Sequence, residues 1–352
     1  MPPTATVTCL EDRPLPASIA DVAELEDLLS TPTRGVVADL AAVDGDLMVL
    51  GVGGKVGPTL AMMAKRAAPD RRVIGVARFS DPAVRERLEV AGVETITCDL
   101  LDPQAVHNLP DVPNIIYMAG RKFGTAGTEP ATWAMNVVAP TFVGQRFARS
   151  CIVGFSTLCV YPFARVDGPG SREADPVTPL GEYANSCVGR ERVLQHFSQH
   201  HNTPGRLIRL NYAIDLRYGV LHDVARWVRS RQPIDIATPV ANVIWQGDST
   251  AHILRALRYC TQPASPLNIG MPAPVRIRNV AGRFGELFDI EPVFTGEEQP
   301  LAWHNDTSQA HKLFGDPIVD VETMIRWNAD WMKRDMPVHD KPTHYEQRAG
   351  RF

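Results

Sequence analysis

The residues of this chain that most clearly announce chemistry form one glycine-rich turn. An apolar run from Asp46 to Leu50 leads directly into Gly51-Val52-Gly53-Gly54-Lys55-Val56-Gly57, and a helical pattern follows from about Pro58 to Ala68. Glycine permits positive φ and leaves no Cβ between backbone and ligand. The N-terminus of the next helix adds unpaired N–H groups and a partial positive charge, which suits a pyrophosphate. The first strand-to-helix turn of a βαβ unit is the context this motif requires. Gly51, Gly54 and Gly57 make the spacing G-x-x-G-x-x-G; the commoner dinucleotide spacing would need glycine where Val56 stands. Gly51, Gly53, Gly54, Lys55, Val56 and Gly57 are therefore the expected cradle for a dinucleotide. The next strand ends at Ala77-Arg78. A carboxylate there would bind the ribose 2′-hydroxyl of NAD. A guanidinium instead favours a 2′-phosphate, so the expected cofactor is NADP or NAD, with NADP favoured.

The elements around this turn alternate. Arg72–Ala77 and Val93–Cys98 read as strands and Pro82–Ala91 as a helix; Asn114–Met118 is a fourth strand, with a helix near 131–150 behind it. Cys151–Phe155 is a fifth strand, a long helix runs from about Glu182 to His200, and Arg206–Leu210 is a sixth strand. This alternation implies an α/β fold, a Rossmann-like doubly wound parallel sheet, with right-handed crossovers. Beyond residue 212 the pattern loosens. Helices near 218–231, 250–259 and 278–287 and an apolar segment 241–245 suggest a smaller C-terminal substrate lobe. The expected organisation is an N-terminal extension over 1–45, with a helix around Val22, Leu25, Leu28 and Leu29. A dinucleotide-binding domain over 46–212, returning with strands near 240–270, comes next. A discontinuous substrate lobe over 213–340 and a polar tail over 341–352 complete it.

These landmarks resemble the extended short-chain dehydrogenases/reductases, also called the NAD-dependent epimerase/dehydratase family, over roughly residues 46–290. Cys98-Asp99-Leu100 is similar to the family's Asp-Leu/Ile pair beside adenine, and Met118-Ala119-Gly120 to the small-residue turn beneath the cofactor. Asn136 falls where the family has a helix asparagine. Phe155-Ser156-Thr157-Leu158-Cys159-Val160-Tyr161 resembles the S-[ST]-x-x-V-Y segment, with Thr157 on the catalytic Ser/Thr. Glu182-Tyr183-Ala184-Asn185-Ser186-Cys187 resembles the Y-x-x-x-K helix, and Arg209-Leu210-Asn211-Tyr212 the turn before the substrate lobe. The resemblance implies that Tyr183 exchanges a proton with a substrate hydroxyl while hydride passes to or from a nicotinamide. Thr157 would hydrogen-bond the same oxygen, and a lysine four residues after the tyrosine would hold the ribose and lower the tyrosine pKa. A phenol titrates near 10, so a nearby cation is what makes it a base at neutral pH. It also implies a homodimer built on the helices over 131–150 and 182–200.

The chain departs from the pattern at position 187, where cysteine replaces lysine. Lys122 or Arg121, just after the fourth strand, is one candidate for the missing cation; Arg121 is equally a candidate for substrate contact. A second reading is altered chemistry without that cation, and a third is a cofactor-binding sensor or scaffold with little turnover. Cys187 as a nucleophile is a further possibility, although nothing in the sequence would lower its pKa. Nucleotide-sugar members of the family carry an arginine shortly before a late aspartate resembling Asp248. The segment 241–247 here has none, which favours a free sugar, sugar acid or similar polyol as substrate. Asn211, Tyr212, Asn242, Trp245 and Gln246 offer hydrogen bonds and a stacking surface for it. Simple dehydrogenation and epimerisation through a transient ketone both stay open.

Composition narrows the alternatives. The chain has 352 residues, 22% charged, with a formal net charge of −4, which gives no general attraction to nucleic acid or anionic membrane. No apolar run approaches the ~20 residues of a membrane span, and the N-terminus shows no basic segment followed by an apolar one. The six cysteines form no CxxC pair and the ten histidines no ligand spacing, so no metal is expected and the thiols read as reduced, in a cytoplasmic protein. No G-x-S-x-G elbow supports a serine hydrolase.

Overall fold

The computed structural model describes residues 7–122, 127–339 and 341–350. The chain opens with two helices, α1 (Val22–Ser30) and α2 (Arg34–Ala41). Each begins on an oxygen cap: Asp21 accepts from the Glu24 N–H and Thr33 from the Val36 N–H, which satisfies backbone donors the first turn cannot pair. The expected helix around Val22 is therefore present, and α2 follows it.

Seven segments then build one parallel sheet: β1 (Leu47–Leu50), β2 (Val73–Ala77), β3 (Glu94–Thr97), β4 (Asn114–Tyr117), β5 (Cys151–Thr157), β6 (Gly205–Leu210) and β7 (Ser265–Ile269). Their spatial order is β7-β6-β5-β4-β1-β2-β3. β1, β2 and β4 are buried at every position, the consequence of helices on both faces of a parallel sheet. α3 (Gly57–Ala67) and α4 (Pro82–Val90) follow β1 and β2. Leu50 is in register with Val76 on one side and Tyr117 on the other. The chain leaves β1 toward β2 and later returns to its other edge at β4. Connections thus diverge above the C-terminal ends of β1 and β4, where such sheets hold ligands. The α/β doubly wound expectation holds.

Two of the expected helices differ from their sequence outline. The segment near 131–150 is not one helix. It comprises a short turn Glu129–Trp133, a wide turn Ala134–Val138 in which the Ala139 N–H reaches back to the Ala134 carbonyl, and α5 (Ala139–Arg146). Pro140 has no N–H to give the Asn136 carbonyl, and a wide turn accommodates that loss. α6 (Gly181–His201) is continuous. In the smaller lobe, α7 (Val220–Arg229) agrees with expectation, whereas the helix expected at 250–259 is α8 (Gln246–Arg255) with a tight turn after it. α9 (Ile277–Phe288) agrees, and α10 (Val321–Lys333) was not anticipated. Leu25 and Leu29 of α1 join Val224, Phe284, Trp245, Trp327 and Trp331 in the core of this lobe, so the N-terminal extension is part of its packing.

The polar tail is tied down rather than loose, as far as the described residues 341–350 show; residues 351–352 lie outside them. Thr343 donates from its N–H and its hydroxyl to Asp223 Oδ2, at 2.8 and 2.6 Å. Tyr345 is buried beside Trp227. A Cβ on Gly181 would lie 2.2 Å from the Gly350 carbonyl oxygen, so the tail runs from α7 to the start of α6.

α6 is fixed to the sheet by charge. Arg209 of β6 donates to both carboxylate oxygens of Glu191, at 2.9 and 2.8 Å, with both side chains almost fully buried. Ser156 Oγ donates to the same carboxylate at 2.5 Å. Removing one partner strands a buried charge. Arg209→Met should therefore cost about 3–5 kcal/mol of unfolding free energy in a urea titration, and the double change Arg209→Met with Glu191→Leu should recover part of that loss.

Candidate active site

The glycine turn divides its work between fold and ligand. Gly51 sits at φ +89°, and a Cβ there would lie 2.5 Å from the Ala119 nitrogen. A Cβ on Gly57 would lie 2.1 Å from the Val52 carbonyl oxygen. These two glycines let β1, its neighbour strand and α3 pack. A Cβ on Gly54 would meet only the Gly51 oxygen, at 3.7 Å; this position faces open space. Gly51, Gly53, Gly54, Arg78, Asp99, Leu100, Met118, Ala119 and Gly120 all line one cleft of about 630 Å³. Helix α3 aims its first turn at this end of the sheet. The residues therefore fit a dinucleotide: a Cβ-free cradle, helix N–H groups for the pyrophosphate, and Arg78 at the end of β2. Arg78 is exposed, with Phe79, Ser80 and Asp81 beside it on the cleft wall.

Lys55 and Val56, expected in the same cradle, turn instead toward an adjoining cavity of about 290 Å³. The two spaces share Gly51, Gly54, Met118, Gly120 and Arg121 and so form one cleft with two ends. The second end is lined by Thr157, Tyr183, Asn211, Tyr212, Tyr218 and Thr343. Thr157 closes β5, and Tyr183 lies in the first turn of α6. Thr157 lines the cavity beside Tyr183 and draws the phenol pKa down, and it accepts from the Cys159 N–H at 3.3 Å. Burial holds the Tyr183 pKa well above its usual value, with Cys187 and Cys159 adding to the rise and Arg190 and Thr157 opposing it. Its phenol is therefore a proton donor until positive charge arrives.

Cys187 does not reach the cleft. It is fully buried one turn behind the tyrosine, among Leu158, Cys159, Val160 and Trp303. Burial pushes its thiol up to about 11, which removes the thiolate a nucleophile needs. Lys122 does approach: its ammonium lies 5.6 Å from the Tyr212 ring centre and interacts electrostatically with Cys159, Cys187 and Asp223, while burial lowers its pKa. Lys55 stacks its ammonium on the Tyr218 ring, 2.6 Å from the centroid. Burial first, then the charges of Lys122 and Lys341, bring its pKa down to about 7, against Asp215 and Asp223. Two ammonium groups thus share the small cavity with Arg121, which donates to Thr128 Oγ1 at 3.1 Å.

Trp245 and Asn242 are not substrate contacts. Trp245 is fully buried and packs edge-on against Trp327 at 5.2 Å; Asn242 is fully buried and accepts from the Asn305 N–H. The strand Val243–Trp245 pairs with Tyr212–Ile214, and the Asn242 carbonyl accepts from the Tyr212 N–H just before it; both side chains lie in the core. Gln246 lines the cavity and donates to Thr59 Oγ1. Asp248 is buried and accepts from the N–H groups of Ile318 and Val319, a structural role. The residue that sequence spacing left unnoticed is Arg190, which lines the cavity seven residues, two helical turns, after Tyr183. Among the described residues no group of three or more His, Cys, Asp or Glu could hold a metal ion.

The turn's two kinds of glycine are separable by experiment. Gly57→Ala should lower the melting temperature, because its Cβ meets backbone. Gly54→Ala should leave stability within about 0.5 kcal/mol yet weaken dinucleotide binding, measured by calorimetric titration.

The sequence matches no protein-family model and no curated protein. Its architecture, however, superposes on solved enzymes. A UDP-glucose 4-epimerase from Thermotoga maritima, solved with UDP-glucose, aligns with TM-score 0.68 and 15% identity over 82% of this chain and 99% of that one. DesIV from Streptomyces venezuelae, a dTDP-glucose 4,6-dehydratase carrying NAD, aligns with TM-score 0.68 and 17% identity over 82% and 97%. The Bordetella bronchiseptica enzyme WbmG, in complex with NAD and UDP, aligns with TM-score 0.66 and 17% identity over 85% and 100%. The seven-stranded parallel sheet with its flanking helices thus gives this chain the same fold as these solved structures.

Proposed function

We propose that the protein is an NAD(P)-dependent oxidoreductase or epimerase acting on a secondary hydroxyl of a sugar, sugar acid or similar polyol. The observation that carries this reading is the meeting of Thr157 and Tyr183 where the dinucleotide cleft opens into the lysine-lined cavity. When bound, the nicotinamide supplies or accepts hydride. Thr157 and Tyr183 hold the substrate oxygen between them. In the reducing direction the neutral Tyr183 phenol gives its proton to that oxygen. In the oxidising direction the same phenol must accept a proton, and nearby positive charge is needed to hold it as phenolate. Lys122 is one such cation in this reading. The sensor or scaffold alternative rested on the missing lysine; positive side chains in the same wall weaken it.

Cavity size and charge support the substrate class. A space of about 290 Å³, closed on one side by Thr343 of the tail, lies at the small end of ligand sites and suits a single sugar better than a nucleotide sugar. Lys55, Lys122 and Arg121 favour one with an acid group. Arg78 supports NADP over NAD. We further propose that the protein acts in the cytoplasm as a homodimer, joined through the 131–150 and 182–200 faces, where Trp133 and Val138 are exposed. No helix among the described residues is long and apolar enough to cross a membrane.

Three outcomes test this. Tyr183→Phe should lower turnover by ~10²–10⁴-fold with cofactor affinity retained, followed by nicotinamide absorbance across a panel of sugars and sugar acids; full activity would remove the tyrosine. Arg78→Ala should weaken NADP more than NAD in direct titrations. Lys55 is protonated below about pH 7, so KM for an acidic substrate should rise as pH climbs through that value, and Lys55→Met should flatten the rise.

A further inference from the structure

Arg190 lies on the face of α6 that carries Tyr183 and Cys187, and it is almost fully buried. Its guanidinium is held by neutral oxygens. Nη2 donates to Asn136 Oδ1 at 2.5 Å, Nε to the Asn136 carbonyl at 3.4 Å and Nη1 to the Phe155 carbonyl at 3.0 Å. Each acceptor is made available by the fold. Pro140 cannot pair the Asn136 carbonyl, so that oxygen is left for Arg190. Asn136 is itself held by the Arg121 N–H and carbonyl and by Ser186. A Cβ on Gly120 would lie 2.5 Å from Nη2, so the glycine lets the guanidinium come up beneath the end of β4. Its hydrogen bonds satisfy the donors but leave the charge in place, inside a wall of low polarizability. An arginine stays protonated at every relevant pH, whereas burial lowers the pKa of Lys122.

We propose that Arg190 is the fixed cation of this site, acting on the Tyr183 phenol and the nicotinamide end of the cleft in place of a lysine at position 187. Its hydrogen bonds go to Asn136 and Phe155 and not to the phenol, so it is a positioning residue that works through its field. The assignment rests on the oxidoreductase reading above. A permanent positive charge in that wall stabilises the phenolate of Tyr183. It also disfavours the positively charged oxidised nicotinamide relative to the neutral reduced one, which gives a readout independent of turnover.

The test is to measure dissociation constants of the oxidised and reduced cofactor at pH 7 for the full-length protein and for Arg190→Gln, Arg190→Lys and Lys122→Met. Arg190→Gln keeps an amide donor for Asn136 without the charge; Arg190→Met gives the same readout if the glutamine variant does not fold. The neutral variants should tighten oxidised relative to reduced cofactor by about tenfold and move the pH midpoint of substrate oxidation upward by about one unit. Arg190→Lys, whose ammonium is weakened by burial, should fall between the wild type and the neutral variants and move toward the wild-type ratio as pH is lowered. Equal weakening of both cofactor forms in the neutral variants would mark a merely structural arginine and overturn the proposal. So would an unchanged ratio there, or a shift seen only in Lys122→Met. A wild-type protein that binds neither form would overturn the oxidoreductase reading itself, and this assignment with it.

Discussion

The site depends on the buried pair between Glu191 and Arg209. Two charges removed from water are costly to hold apart and costly to leave unpaired, so this bidentate contact admits one placement of α6 on the sheet. Ser156, next to Thr157, is bonded to the same carboxylate. The end of β5 and the start of α6 are therefore set against each other by one network. That relation is what allows Thr157 and Tyr183 to meet, because one hydroxyl is carried by the strand and the other by the helix. Neighbouring positions on α6 then face two ways: Glu191 toward β6, and Arg190 toward Asn136 and the cleft.

Desolvation decides what these groups can do once placed. The same burial that packs α6 raises the pKa values of Tyr183 and Cys187 and lowers those of Lys122 and Lys55. Each neutral form is favoured. A site arranged this way donates protons without help but accepts them only where a charge survives burial. Guanidinium survives it and ammonium does so poorly. Cysteine at 187 thus does not leave this wall without positive charge, because Arg190, three residues along the helix, lines the same cavity.

Much of the fold was legible because its signals are local. Continuous apolar runs marked β1, β2 and β4, and the glycine turn marked the cofactor end, since both depend on neighbours in sequence. The illegible parts arise from contacts between distant residues. Trp245 and Asn242 read as ligands because an aromatic and an amide after a strand suit sugars, but both lie in the core, where the strand 243–245 pairs with Tyr212–Ile214. The helix over 131–150 read as continuous because periodicity does not register what Pro140 withholds from a carbonyl four residues earlier. Arg190 was missed although its spacing from Tyr183 was in plain view. A search for a lysine one turn away overlooks an arginine two turns away. The packing of the polar tail was not legible, because its anchor, Asp223, lies 120 residues earlier.

That tail bears on which substrate the cleft admits. Thr343 is carried into the cavity wall by two hydrogen bonds to Asp223, a buried carboxylate that also lies within electrostatic reach of Lys55 and Lys122. The tail thus contributes Thr343 to the lining of the smaller cavity, and the same acid tempers the two lysines. A compact acid would leave the tail in place and meet the ammonium groups directly. Small volume and charge would act together in the proposed reading: the less water reaches Lys55 and Lys122, the less their attraction for an acid group is screened.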